Sequence, residues 1–202
     1  MDLFLIRHTT PDVAKGICYG QTDLDVTASF GEEAAIIRRC LPASMDCVYS
    51  SPLQRCVKLA RHLFPQQEPV LHPELMELHC GEWEMLHWDA IPKEVIDPWM
   101  KDFVQTAIPG GESYIDLYNR VTTCFQSIAG RRHGAAAIIA HGGVLRSILA
   151  SITQTPLKDS FSAFPLHYGC VAKLSVCDSG IGYTMLSNIA TPPEQHKPGR
   201  RE

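Results

Sequence analysis

Five short strand-like runs, at 2–6, 46–50, 135–140, 170–177 and 181–187, limit how this chain can fold. Segments of helical period lie between most of them, and that alternation predicts an α/β domain with a mostly parallel sheet between helices. The last two runs flank Asp178-Ser179-Gly180, whose turn chemistry predicts a hairpin and so an antiparallel edge strand. Apolar faces at helical spacing are formed by Ala34, Ala35, Ile37 and Leu41, by Tyr114, Leu117, Tyr118, Val121, Phe125 and Ile128, and by Val144, Leu145, Ile148, Leu149 and Ile152. The stretch 80–111, rich in Trp, Pro and His, keeps no clean period and predicts an insertion over one end of the sheet. A chain of 202 residues, 45% hydrophobic, can bury one full core, expected here over 1–190, with 191–202 a disordered tail.

Net charge is −4 and no long basic block precedes that tail, which argues against nucleic acid as a partner. Any anion site must be local. The eight cysteines are scattered, without a C-x-x-C pair or a zinc-like spacing, and are expected to be reduced thiols in a cytoplasmic protein. Asp2 and Arg7 bracket too few apolar residues for a signal peptide, and no run approaches the ~20 residues that cross a bilayer, so no membrane partner is expected.

Arg7-His8-Thr9 follows the first run, and His141-Gly142-Gly143 follows the run 135–140. Strand ends of this kind are where open α/β sheets place ligands. Ser50-Ser51-Pro52-Leu53-Gln54-Arg55 follows the run 46–50 and reads as a capping serine, a proline at the first helical position and a helix start. Arg55 then falls in a first turn, where the helix dipole disfavours a cation by roughly 0.3–1 kcal/mol and a bound anion would relieve the conflict. Taken singly, Arg55 reads as a surface charge and each histidine as structural. Together they place Arg7, His8, Arg55 and His141 on one side of a sheet, the parts that phosphoryl transfer needs: an imidazole nucleophile, kept neutral by neighbouring cations, and positive charge for the equatorial oxygens.

A proton donor is still required. The segment 74–84 has four carboxylates, Glu74, Glu77, Glu82 and Glu84; Glu77, between Met76 and Leu78 and followed by Cys80-Gly81, best fits a partly buried acid.

These motifs in this order, Leu5-Ile6-Arg7-His8, Ser50–Arg55, Glu77–Glu84 and Ala140-His141-Gly142-Gly143-Val144, resemble the histidine phosphatase superfamily, the phosphoglycerate mutase-like group, from Leu3 to about Ile189. The resemblance implies a three-layer α/β/α sandwich, a phosphohistidine at His8, a phosphate pocket of Arg7, Arg55 and His141, Glu77 as proton donor and then base, and no cofactor or metal. Within the family the chain is most similar to the alpha-ribazole phosphatases, through Arg7–Val13, Lys15–Asp23 and Gly81–Met85; Thr9 stands where a glycine is common. Further substrate contacts are expected at Gly142, Thr9, Tyr19, Gln21 and Thr22, and the partner is a small phosphomonoester. Tyr19, Trp83, Trp88 and Trp99 are available either to stack on an aromatic base or to pack a lid.

Three other readings compete. A mutase would need covering insertions that a chain of this length lacks. A silent phospho-ligand binding module would not need every catalytic position filled. A zinc site at His79, Cys80 and His87 lacks paired ligand spacing. Oligomeric state has no signature.

Overall fold

In the computed structural model, residues 1–131, 133–178 and 180–189 are described; the expected tail lies outside them. Six strands form one sheet in the order β3-β2-β4-β1-β5-β6. They are β1 Asp2–Arg7, β2 Cys47–Ser50, β3 Val70–Leu71, β4 Ala135–Ala140, β5 Val171–Cys177 and β6 Gly180–Ser187. Pairing is parallel from β3 to β1, while β5 runs antiparallel to both β1 and β6. The expected hairpin is β5–β6, and it supplies the expected antiparallel edge, with β6 outermost. Ser179, in the expected turn, lies outside the described residues.

Both faces of the sheet are covered, which is why its central strands are continuous apolar runs. Successive side chains of β1 point to opposite faces. Leu3 and Leu5 pack with helices α4 (Tyr114–Ala129) and α5 (Gly142–Thr153). Phe4 and Ile6 pack with α1 (Phe30–Arg38) and α2 (Gln54–Leu63). Full burial of each such side chain is worth about 1.5–3 kcal/mol, so a one-residue slip of β1 would exchange two sets of core contacts at once. The result is the expected three-layer sandwich.

Local departures have physical causes. On α1 only Ala34 and Ile37 are buried; Ala35 faces solvent and Leu41 lies past the helix end. Helix α2 starts at Gln54, later than expected: Pro52 sits in the preceding turn, where the Leu53 N–H donates to Ser51 Oγ at 3.3 Å. Arg55 remains in the first turn. Ser113 and Asp116 cap α4 reciprocally.

The stretch 80–111 contains two short 3-10 turns, Gly81–Trp83 and Trp88–Ala90, and helix α3 (Lys93–Lys101) with Pro98 inside it. Trp83, Trp88, Ile91, Ile96 and Ile108 form a separate apolar cluster with Cys18 and Cys80. Trp99 packs 5.4 Å from Trp83 and 6.1 Å from Trp88, centroid to centroid, so these indoles serve lid packing. A last short helix, α6 (Ser160–Ala163), leads toward β5.

Candidate active site

Strand β1 ends at Arg7, and His8 is the first residue beyond it. The His8 N–H donates to Ala140 O at 3.0 Å, and the Gly169 N–H donates to His8 O at 3.1 Å, which fixes the backbone between β4 and the entry to β5. His8 Nδ1 lies 2.7 Å from Thr9 O. A carbonyl oxygen only accepts, so Nδ1 holds a proton, which leaves Nε2 as the nitrogen turned to the site. His141, the N-cap of α5, meets His8 edge to face at 5.0 Å between ring centroids. Two strand ends separated by more than 130 residues in sequence therefore present one pair of imidazoles.

Cations surround that pair. Arg7 Nη1 donates to Leu166 O at 2.6 Å, and its guanidinium lies 3.9 Å above the ring of Tyr168. Arg55 is fully buried, so it is no solvated surface charge. Its Nη1 and Nη2 donate to Thr22 O at 2.8 Å and Gly20 O at 2.7 Å, and its Nε is enclosed with no hydrogen-bond partner among the described residues. Two carbonyl oxygens stand where a buried guanidinium ordinarily has a carboxylate, and an anion would complete the balance. Burial, then Arg55, His8 and Arg7, push the pKa of His141 well below its ordinary value, and its Nε2 lies 2.8 Å from Ser51 Oγ. The imidazole is therefore neutral.

Of the four acids in 74–84, Glu77 alone reaches the N-terminus of α5. Its Oε2 accepts from the Gly143 N–H and its Oε1 from the Leu78 N–H, each at 3.0 Å. The backbone of Glu77 is gripped as well: its carbonyl accepts from Gln21 Nε2 at 3.0 Å and from Arg120 Nη2 at 2.8 Å. Arg120 also binds the carbonyls of Glu74 and Met76 and pairs with Glu112. Glu84 is committed elsewhere. It accepts from the N–H groups of Gly20, Gln21, Thr22 and Cys80 and from Thr22 Oγ1. Although burial opposes it, those bonds hold the Glu84 pKa below the ordinary carboxylate value, which leaves an anion and not a proton donor. Glu84 folds the 20–22 loop whose carbonyls receive Arg55.

Both glycines after His141 serve close approaches within the protein. A Cβ at Gly142 would lie 3.3 Å from Arg7 Nε, and one at Gly143 would lie 2.3 Å from Glu77 Oε1. Among the expected substrate contacts, Gln21 and Thr22 already have structural partners, and Tyr19 is half-buried with its hydroxyl 2.5 Å from that of Tyr168. Thr9 is fully enclosed and its hydroxyl has no partner among the described residues, so it acts beside His8 through its carbonyl. His79, Cys80 and His87 do not converge as metal ligands; His87 packs on Gly16.

Three contributors were absent from the sequence-derived set. Tyr168, just before β5, supports Arg7 and lies 5.4 Å from the His8 ring. Ser51 touches His141. Arg146, on the second turn of α5, donates through Nε to Phe164 O at 3.1 Å and lies over Phe161, with Nη1 3.1 Å from the Cβ position of Gly142. Its spacing of four from Gly142 puts the two on one face of α5, a signal that helical periodicity contains.

The family model for the histidine phosphatase superfamily (branch 1) matches residues 3–188. The adenosylcobalamin/alpha-ribazole phosphatase of Escherichia coli is 30% identical over 185 residues, covering 87% of this chain and 90% of its own. A metal-independent phosphoserine phosphatase of Arabidopsis thaliana is 31% identical over 165 residues, 76% and 69% of the two chains. The crystal structure of the alpha-ribazole phosphatase from Shigella flexneri superposes with a TM-score of 0.84 at 26% identity, covering 96% of this chain and all of that one (100%). With the motif-bearing strand ends gathered around two imidazoles, the chain belongs to the histidine phosphatase superfamily, branch 1, and is a phosphatase.

Proposed function

We propose that the protein hydrolyses a small phosphomonoester through a phosphohistidine at His8, and that the substrate is alpha-ribazole 5'-phosphate. The observation that carries the chemistry is the buried Arg55 without a carboxylate partner, next to neutral His141 and the oriented His8. His8 Nε2 attacks phosphorus in line; the N–P bond forms as the ester P–O bond breaks, and Glu77 gives its proton to the leaving oxygen. Arg7, Arg55 and His141 hold the equatorial oxygens throughout. Glu77, now a carboxylate, takes a proton from water as that water attacks phosphorus; the P–O bond forms and the N–P electron pair returns to Nε2. The same atoms serve both half-reactions, and inorganic phosphate departs.

The substrate assignment is supported by the similarity to alpha-ribazole phosphatases over nearly the whole chain and by the ring of Tyr168 beside His8, whose hydroxyl meets that of Tyr19. A second reading, phosphoserine, is favoured by the Arabidopsis relative and by Arg146, a cation near Gly142 that suits a substrate carboxylate. Phosphate release across a panel containing alpha-ribazole 5'-phosphate, phosphoserine and 3-phosphoglycerate with a bisphosphoglycerate primer tests the choice. Highest kcat/KM on alpha-ribazole 5'-phosphate is expected. Preference for phosphoserine would move the assignment to the second reading, and isomer exchange faster than phosphate release would overturn hydrolysis. His8→Ala is expected to abolish release, and full activity in that variant would end the mechanism.

A further inference from the structure

Away from the phosphate pocket, at the β3 edge of the sheet, three donors of different chemistry converge. His72 follows β3, Glu74 lies in the 3-10 turn Pro73–Leu75, and Cys124 projects from α4. His72 Nδ1 is 3.6 Å from Glu74 Oε2 and 3.6 Å from Cys124 Sγ, and all three donor atoms lie within 4.8 Å of one another. We propose that His72, Glu74 and Cys124 form a binding site for a late first-row divalent cation, of which zinc is the representative.

Spacing and donor type support the assignment. Zinc binds imidazole nitrogen and carboxylate oxygen at about 2.0–2.2 Å and thiolate sulfur at about 2.3 Å, so tetrahedral ligands sit roughly 3.3–3.8 Å apart. Both measured His72 separations fall in that range before any adjustment. Imidazole, thiolate and carboxylate together suit zinc or cobalt and do not suit magnesium or calcium. Cys124 is buried on the helix side, while the Glu74 side chain is about half exposed (51%) and that of His72 partly so (23%), leaving an entry path and room for water as a fourth ligand. His72 Nε2 is enclosed without a hydrogen-bond partner among the described residues, so the ring makes its polar contacts through Nδ1. The test needs no catalysis, so its result stands apart from the phosphatase reading.

The full chain, stripped with chelator and kept reduced, is titrated with cobalt(II) and then zinc(II). One equivalent of cobalt is expected to raise a thiolate-to-metal charge-transfer band that zinc abolishes. Cys124→Ser is expected to eliminate the band, and His72→Gln to weaken cobalt binding by at least about tenfold. Cys177→Ser, which removes an exposed thiol on β5, is expected to leave both unchanged. Absence of the band, its persistence in Cys124→Ser, or its loss in Cys177→Ser overturns the site. His72→Gln changes a partly exposed ring and remains decisive if Cys124→Ser fails to fold.

Discussion

Replacing Gly143 with alanine probes the acid without touching it. The new methyl carbon would stand 2.3 Å from Glu77 Oε1 and 2.9 Å from Leu117 Cδ2. Ordinary carbon contacts need about 3.5–4 Å, so the carboxylate must withdraw by over 1 Å. Leu117 is buried against α5 and cannot make that room alone. Withdrawal also breaks the bond from the Gly143 N–H to Glu77 Oε2, and a typical hydrogen bond is worth about 0.5–1.5 kcal/mol. Misplacement of a reacting group by about 1 Å costs on the order of 100-fold, and this larger effect sets the expected loss. The assay is quench-flow measurement of the first turnover with two esters. With an alkyl phosphate, whose alkoxide needs a proton, we expect phosphorylation to slow about 100-fold. With p-nitrophenyl phosphate, whose phenolate leaves unprotonated, we expect a loss under about 10-fold, because only general-acid assistance is removed. Equal loss with both esters would place the damage in the phosphate pocket and refute the role given to Glu77, as would unchanged rates with both.

Glu77→Gln should slow turnover of the alkyl ester at least about 100-fold while inorganic phosphate still binds, measured by steady-state kinetics and calorimetry. Tyr168→Leu removes the ring under Arg7, a desolvated cation–π contact worth about 2 kcal/mol, and should weaken phosphate binding roughly 30-fold; Tyr168→Phe, which keeps the ring, should stay within about threefold. His141 adds a pH dependence to stability. Because its folded pKa lies well below the unfolded value of about 6.5, the unfolded chain takes a proton that the folded chain refuses, and stability falls as pH drops below about 6.5, by up to about 1.4 kcal/mol per pH unit until the folded pKa is reached. Urea melts should show a shallower acid-side slope in His141→Asn, and identical slopes would sink this account.

Arg7, His8 and His141 were legible because each ends a buried apolar run, and a parallel sheet puts such ends on one side. Arg55 was legible through its first-turn position, although its burial was not, since that depends on carbonyls from the 20–22 loop. Strand β3 escaped notice because it has two residues, both exposed, and no alternation. Helix α3 was hidden by Pro98 and by its own separate core of tryptophans. Glu77 was preferred to Glu84 from its apolar neighbours in the sequence, but the physical difference lies in their partners, the Gly143 N–H on one side and the loop amides on the other.

The place of β1 in the sheet has a consequence for how the protein is made. Strand β1 is synthesised well before the strands it pairs with, β4 and β5, which begin at residues 135 and 171. At about 5–20 residues per second, translation from Asp2 to Ala135 takes roughly 7–27 s, during which the apolar strand that leads into His8 lacks its sheet neighbours. Slow, long-range pairing of this kind favours aggregation over folding when the nascent chain is crowded. Truncation before Tyr168 would remove both the ring beneath Arg7 and the whole of β5, and would leave β1 as an open edge.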